Sequence, residues 1–170
     1  ALGIIFKSPV KTIGAGRTDG GVHAHGQVFH FDKDWKHGKD KMLQALRSFL
    51  PSDISPQTLE PVPKTFHSLS SATGKRYVYR AIQGWAMPEE ERFCYSLRNQ
   101  KLELDLMKKA ARFFLGKHDF TSFAASRGKG EKENPVKEIW KFEINSSRNE
   151  LKFLVEGSGF LYKMVRSMVG

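Results

Sequence analysis

Cysteine and acidic charge are both scarce in this chain of 170 residues. The one cysteine, Cys94, cannot close an internal disulfide or build a cysteine-rich zinc site, so nothing requires an oxidising compartment. No apolar run approaches the ~18 residues that a membrane-spanning helix needs, which argues against an integral membrane protein. No secretory signal is visible. No methionine precedes Ala1, and the chain stops at Met168-Val169-Gly170 inside a predicted helix, so it reads as a piece of a longer protein. An intracellular location is expected; cytosol and organelle stay open, because a transit peptide would precede Ala1. Asp and Glu total 18 against 28 Lys and Arg, leaving a net charge of +10 and a pI near 9.8. That surplus points to a polyanionic partner, nucleic acid ahead of an acidic membrane. With 39% apolar and 12% aromatic residues, the length suits one domain or two small subdomains with a real core.

Apolar periodicity predicts an α+β chain with helices on one side of a largely antiparallel sheet. Residues 2–6 and 10–13 are short apolar runs that fit either a strand or a helix end. Residues 14–21 hold four glycines in eight positions and predict a loop of unusual backbone geometry. Residues 22–31 alternate as a strand. Residues 38–50 carry Met42, Leu43, Ala45, Leu46, Phe49 and Leu50 on one helical face, stopped by Pro51. Strand-like runs follow at 54–59, 66–72 and 75–82, with prolines 61 and 63 marking a linker. A second helix is expected over 104–115, with Gly116 suited to its C-terminal cap. Residues 127–134 are polar and read as a surface loop. Residues 138–144 and 150–156 form a hairpin, and a last helix starts at Phe160, with Tyr162 and Arg166 together on its flank.

The densest chemical signal is residues 14–25, GAGRTDGGVHAH. A dinucleotide loop is disfavoured because Asp19 occupies the sixth position of the G-x-G-x-x-G, where a carboxylate repels pyrophosphate. The alternative is a charged pair, Arg17 and Asp19, held by glycines. Two residues apart in an extended segment, they point to the same side. A nearby cation favours the charged carboxylate, which can then act as nucleophile or general base. A plain turn, with the Asp side chain bonded to backbone N–H groups, fits the composition as well. His23 and His25 share a strand face with His30 on the other, an arrangement that offers no familiar metal-ligand spacing. No metal is expected. The run Lys75-Arg76-Tyr77-Val78-Tyr79-Arg80 interleaves cations with aromatics, as a strand would to hold phosphate on one face and a base on the other. A half-buried strand with solvated arginines is the competing account, and Lys163 and Arg166 are open to the same two readings.

Taken in order, the motifs are more specific than any one alone. Gly16-Arg17-Thr18-Asp19-Gly20-Gly21-Val22-His23-Ala24 closely resembles the G-R-T-D-x-G-V-H-A signature of the TruA family of tRNA pseudouridine synthases. Gly26-Gln27-Val28, Leu50-Pro51-x-Asp53-Ile54, Phe66-His67, Arg76–Tyr79, Gly116-x-His118-Asp119-Phe120-x-Ser122-Phe123 and Phe160-Leu161-Tyr162-x-Met164-Val165-Arg166-x-x-Val169-Gly170 follow in family order. The resemblance implies a pseudouridine synthase fold of two α+β subdomains, residues 1–65 with the Asp loop and 66–170 with the Tyr strand and Arg helix. They would share a bent mixed sheet beside a basic cleft. It further implies a homodimer without a cofactor that isomerises uridines at positions 38–40 in the anticodon arm of tRNA. Uridine and pseudouridine are isomers, so no redox equivalent or high-energy donor is needed.

By the same resemblance Asp19 is the catalytic carboxylate, Arg17 contacts the RNA and helps open the target nucleotide, and Tyr77 packs on the target base. Arg166 pairs with Asp19. Lys75, Arg76 and Lys163 are phosphate contacts on charge grounds. Two departures stand out. The usual F-H-A-R reads Phe66-His67-Ser68-Leu69, which removes one expected cation, and Gly20 replaces the commoner alanine, which loosens the loop. The family's opening Y-D-G-x-x-F-x-G-W-Q strand and its C-terminal segment have no counterpart here.

Overall fold

Alternating side chains and a tight turn build a long hairpin of β6 (Val136–Ser147) and β7 (Glu150–Gly157). The computed structural model describes residues 1–126 and 133–170; most of the polar segment expected as a loop at 127–134 therefore lies outside the described residues. The chain divides into two compact units, one of Ala1–Thr18 with Ala24–Ala72 and one of Asp19–His23 with Thr73–Gly170. The sequence puts the division at 65/66; the contacts put it at Ala72/Thr73 and group the Asp19 turn with the second unit.

In the second unit, β3 (Lys75–Ile82), β4 (Tyr95–Ser96), β5 (Gly116–Asp119), β6 and β7 form one sheet in the order β4-β3-β7-β6-β5. Only β3 and β4 run parallel; every other pair is antiparallel. This is the mixed, largely antiparallel sheet expected of an α+β chain. Leu151, Phe153 and Val155 alternate along β7 onto one face, all buried, and meet Ala81, Ile139 and Ile144 from the flanking strands. Helix α3 (Leu104–Arg112) adds Ala111 to that core, and α4 (Met164–Val169) adds Met164 and Met168. Asp105 in the first turn of α3 and Lys109 and Arg112 in its last turn match the helix dipole. On the other face Val78 stays half exposed between ion pairs that cross the ladder, Arg76 to Glu156 and Arg80 to Glu150.

In the first unit, β1 (Thr12–Gly14) pairs antiparallel with β2 (Phe29–Phe31), with Ile13 opposite His30. The undecided run at residues 2–6 is a short helix, α1 (Leu2–Ile5), whose neighbour Phe6 packs edge-on to Trp35. Helix α2 (Lys39–Phe49) matches the expected span and buries Met42 and Leu46. Ser68 is the buried polar residue here. Its hydroxyl donates to Ile13 O at 2.6 Å, and its N–H donates to His30 Nδ1 at 3.1 Å.

Several expected elements are corrected. Of residues 22–31 only the last three form a strand, because the three-residue β1 is the partner available and Gly21 turns the chain at φ +81°. Residues 54–59 are irregular, where Pro56 lacks an N–H to pair, and 66–72 is a turn closed by Ser71 N–H to His67 O. Helix α3 ends three residues early, and Gly116, at φ +95°, opens β5 instead of capping it. Strand β5 is exposed along its length, so it carries no alternation to read. The last helix begins at Met164, not Phe160, after Lys163 takes a left-handed φ of 60°. Tyr162 therefore precedes the helix that holds Arg166.

Packing at the end of β7 leaves no room for a side chain. A Cβ on Gly157 would lie 2.5 Å from Glu138 O and 3.0 Å from Ile139 Cδ1. Gly157→Ala is expected to destabilise the protein by about 1–3 kcal/mol, the usual cost of overpacking, as a lower denaturation midpoint in urea.

Candidate active site

The residues expected to carry chemistry begin with a four-residue turn. Val22 N–H donates to Asp19 O at 3.2 Å, and Gly21 sits at the third position with φ +81°, the backbone that a type II turn requires and that glycine supplies without strain. Gly20 has open space around its Cα and no positive φ, so the turn itself does not need a glycine there. The turn presents the Asp19 carboxylate, about one quarter exposed, to Arg166 of α4, with Oδ2 and Nη2 3.8 Å apart. Arg166 is positioned by its neighbours. Met164 and Met168 bury one side of α4, leaving Arg166 on the outer side with 61% of its side chain exposed. The expected pairing is present, then, but as a loose and solvated ion pair instead of a buried one.

Tyr77 stands on β3, half-buried, with its ring edge-on to Phe160 at 5.2 Å. Its strand partner is Val155, fully buried. Burial pushes the phenol pKa above its ordinary value, and the Asp19 charge pushes it further in the same direction. At neutral pH Tyr77 therefore keeps its proton and is a hydrogen-bond donor rather than a base. Asp19, Tyr77 and Arg166 thus come together within one unit.

The other expected residues fall in different places. Lys75 shares the Tyr77 side of β3 by alternation. Arg76 faces the other way, with its Nε 2.7 Å from Glu156, so its charge is already answered. Lys163 is exposed at the N-terminus of α4, with Nζ 5.3 Å from the Tyr162 ring. Arg17 belongs to the first unit and is exposed; in the same unit Gln27 Nε2 donates to Gly16 O at 3.0 Å. His23 lies against Phe93 at 4.6 Å between ring centroids, a contact that nothing in the sequence signals. Phe160 as the support of Tyr77 was equally hidden; only its place in the last motif marks it. Among the described residues no group of three or more His, Cys, Asp or Glu is placed to hold a metal.

The sequence profile described as tRNA pseudouridine synthase matches residues 110–170, which include β5, the β6–β7 hairpin and α4 with Arg166. Whole-chain similarity extends this to the Asp19 turn. The chain is 41% identical over 169 residues to tRNA pseudouridine synthase A 1 of Protochlamydia amoebophila (strain UWE25), covering 98% of this chain and 66% of the relative. It is 38% identical over 169 residues to tRNA pseudouridine synthase A of Exiguobacterium sp. (strain ATCC BAA-1283 / AT1b), covering 99% of this chain and 67% of that protein. The chain belongs to the tRNA pseudouridine synthase A family. A third member, from Lactobacillus helveticus (strain DPC 4571), is 44% identical over 159 residues, with 92% of this chain and 60% of the relative covered. The chain spans about two thirds of the length of these relatives. Its α+β architecture is that of the pseudouridine synthase family.

Two outcomes follow from the geometry of this family member's site. Because two causes raise the Tyr77 pKa, Asp19→Asn should lower it while leaving it above the ordinary ~10 set by an exposed phenol. Ultraviolet titration of the variant against the parent, with Tyr77→Phe to assign the signal, reads this directly; an unchanged titration would remove Asp19 as a neighbour of the phenol. The sign for stability follows: the folded state favours the neutral phenol, so its contribution is complete below pH ~10 and is lost as pH rises beyond it. Separately, Gly20→Ala should stabilise the chain by about 0.4–1 kcal/mol, by restricting the unfolded state at a position whose backbone accepts alanine. Thermal denaturation checks it.

Proposed function

We propose that this chain converts uridine to pseudouridine in tRNA, with Asp19 as the essential carboxylate and no cofactor. The observation that carries the reading is the Asp19 carboxylate set on a tight turn 3.8 Å from the Arg166 guanidinium, beside a phenol that stays protonated. In support stand the names of the relatives, each a tRNA pseudouridine synthase A.

The reaction balances without any co-reactant. The bond between ribose C1′ and uracil N1 breaks, the base turns, and C5 bonds to C1′. C5 then gives up its proton and N1 gains one. An ionised carboxylate opens this sequence either at the ribose or by adding to the uracil ring, and both routes need the counter-charge that Arg166 supplies. Tyr77 offers the base an aromatic edge and a donor O–H. The target nucleotide has to leave the helical stack to reach Asp19, a step assigned to Arg17. The anticodon-arm uridines at positions 38–40 are the proposed targets, and a homodimer is the proposed assembly.

The experiment is incubation with unmodified tRNA transcript, followed by chemical labelling of pseudouridine and primer extension. Stops at positions 38–40 are expected, and Asp19→Asn should abolish them while tRNA affinity stays within a few fold. Stops elsewhere would keep the isomerase and change its target. Stable tRNA binding without any stop would turn the reading into an RNA-binding module of the same fold, the outcome favoured by exposed Leu69 where the family carries a cation.

A further inference from the structure

Between β3 and α3 the second unit carries a surface that the isomerisation chemistry does not use. Trp85 is 69% exposed, the most exposed of the chain's tryptophans whose accessibility is described, and the Arg98 guanidinium lies over its ring at 4.6 Å from the centroid. An indole covered on both faces could not remain so exposed, so the guanidinium occupies one face and leaves the other open. The pair is held by backbone, not by chance collision of two long side chains. Arg98 N–H donates to Gly84 O at 2.7 Å, Leu97 N–H donates to Ile82 O at 2.8 Å, and Leu97 is buried beneath. Arg98 itself takes a left-handed φ of 54°, and Gly84 opposite it takes +86°. A non-glycine residue at such a φ carries strain that the surrounding structure sustains, a feature that concentrates at ligand clamps.

Around this pair lies a shallow, open surface bordered by Trp85, Tyr95, Arg98, Asn99 and Gln100. Among the described residues Arg98 has no carboxylate partner, in contrast to Arg76 and Arg80, so its charge is available to an anion. The chain as a whole carries +10. An aromatic plate with an unanswered guanidinium and side-chain amides at its rim has the chemistry of single-stranded nucleic-acid recognition, where bases stack on aromatic rings and cations take the phosphates.

We propose that Trp85 and Arg98 form a second RNA contact, which stacks an unpaired nucleobase on the open indole face and holds the adjoining phosphate. This rests on the reading that RNA is the substrate, and it adds to it a site on β3–β4 that binds without reacting.

The test measures affinity by fluorescence anisotropy for two probes, the unmodified tRNA transcript and an unstructured single-stranded oligoribonucleotide, with Trp85→Ala, Trp85→Phe and Arg98→Ala. Trp85→Ala should weaken both probes about tenfold, and Trp85→Phe should recover most of the loss because it restores a stacking face. Arg98→Ala should reduce the salt dependence by about one phosphate contact. Unchanged affinity in Trp85→Ala would overturn the proposal. So would equal losses in Trp85→Ala and Trp85→Phe, or a loss of self-association with RNA affinity intact, which would make the patch a contact between copies of the chain. If no pseudouridine forms but the stacking series behaves as stated, the isomerase reading fails and this contact stands.

Discussion

The pairing of β3 with β7 over eight residues, from Lys75 opposite Gly157 to Ile82 opposite Glu150, is the constraint on which the second unit rests. Side chains alternate along a strand, so this register decides which go inward. It sends Tyr77 and Tyr79 to the side of Phe153 and Val155 and sends Arg76 and Arg80 to the open side, against Glu156 and Glu150. A slip of one residue would bury the arginines and expose the tyrosines. The register is fixed in turn by burial of Leu151, Phe153 and Val155, each contributing roughly 1.5–3 kcal/mol of apolar burial at most.

The same core places two of the candidate site residues. Met164 and Met168 tie α4 to Ile139, Val155 and Phe120, and this anchors Arg166 on the outer side of the helix. Phe160, in the stretch leading to α4, meets Tyr77. Two of the three candidate residues are thus fixed by apolar packing. Asp19 is different: a turn with Gly21 presents it, and a loose ion pair holds it. An ion pair at 3.8 Å and open to solvent can be exchanged for new contacts at little cost.

Much of this was legible in the residues. The β6–β7 hairpin, β3 and α2 carry strong periodicity because each has one buried face, and each lies close to where the pattern puts it. The elements that escaped lack such a face. Strand β5 is exposed throughout, and residues 22–28 alternate in polarity without a partner strand to pair with. For the candidate site, motif order singles out Asp19, Tyr77 and Arg166, and the structure brings these three together. It could not reveal that Arg76 is neutralised by Glu156 or that His23 rests on Phe93, since both depend on contacts between residues distant in the chain. The trace of a left-handed Arg98 is likewise absent from the sequence, where arginine gives no hint of a positive φ.

Asp19 and Arg166 are far apart in the sequence, and their meeting has a consequence for biosynthesis. A ribosome adding ~5–20 residues each second releases the carboxylate several seconds before its counter-charge exists. Until α4 emerges, the β6–β7 hairpin and β3 can fold and His23 can reach Phe93, but the Asp19 carboxylate lacks its Arg166 partner. The Asp19–Arg166 pair can therefore close only after every strand of the β3, β6 and β7 sheet has been synthesised.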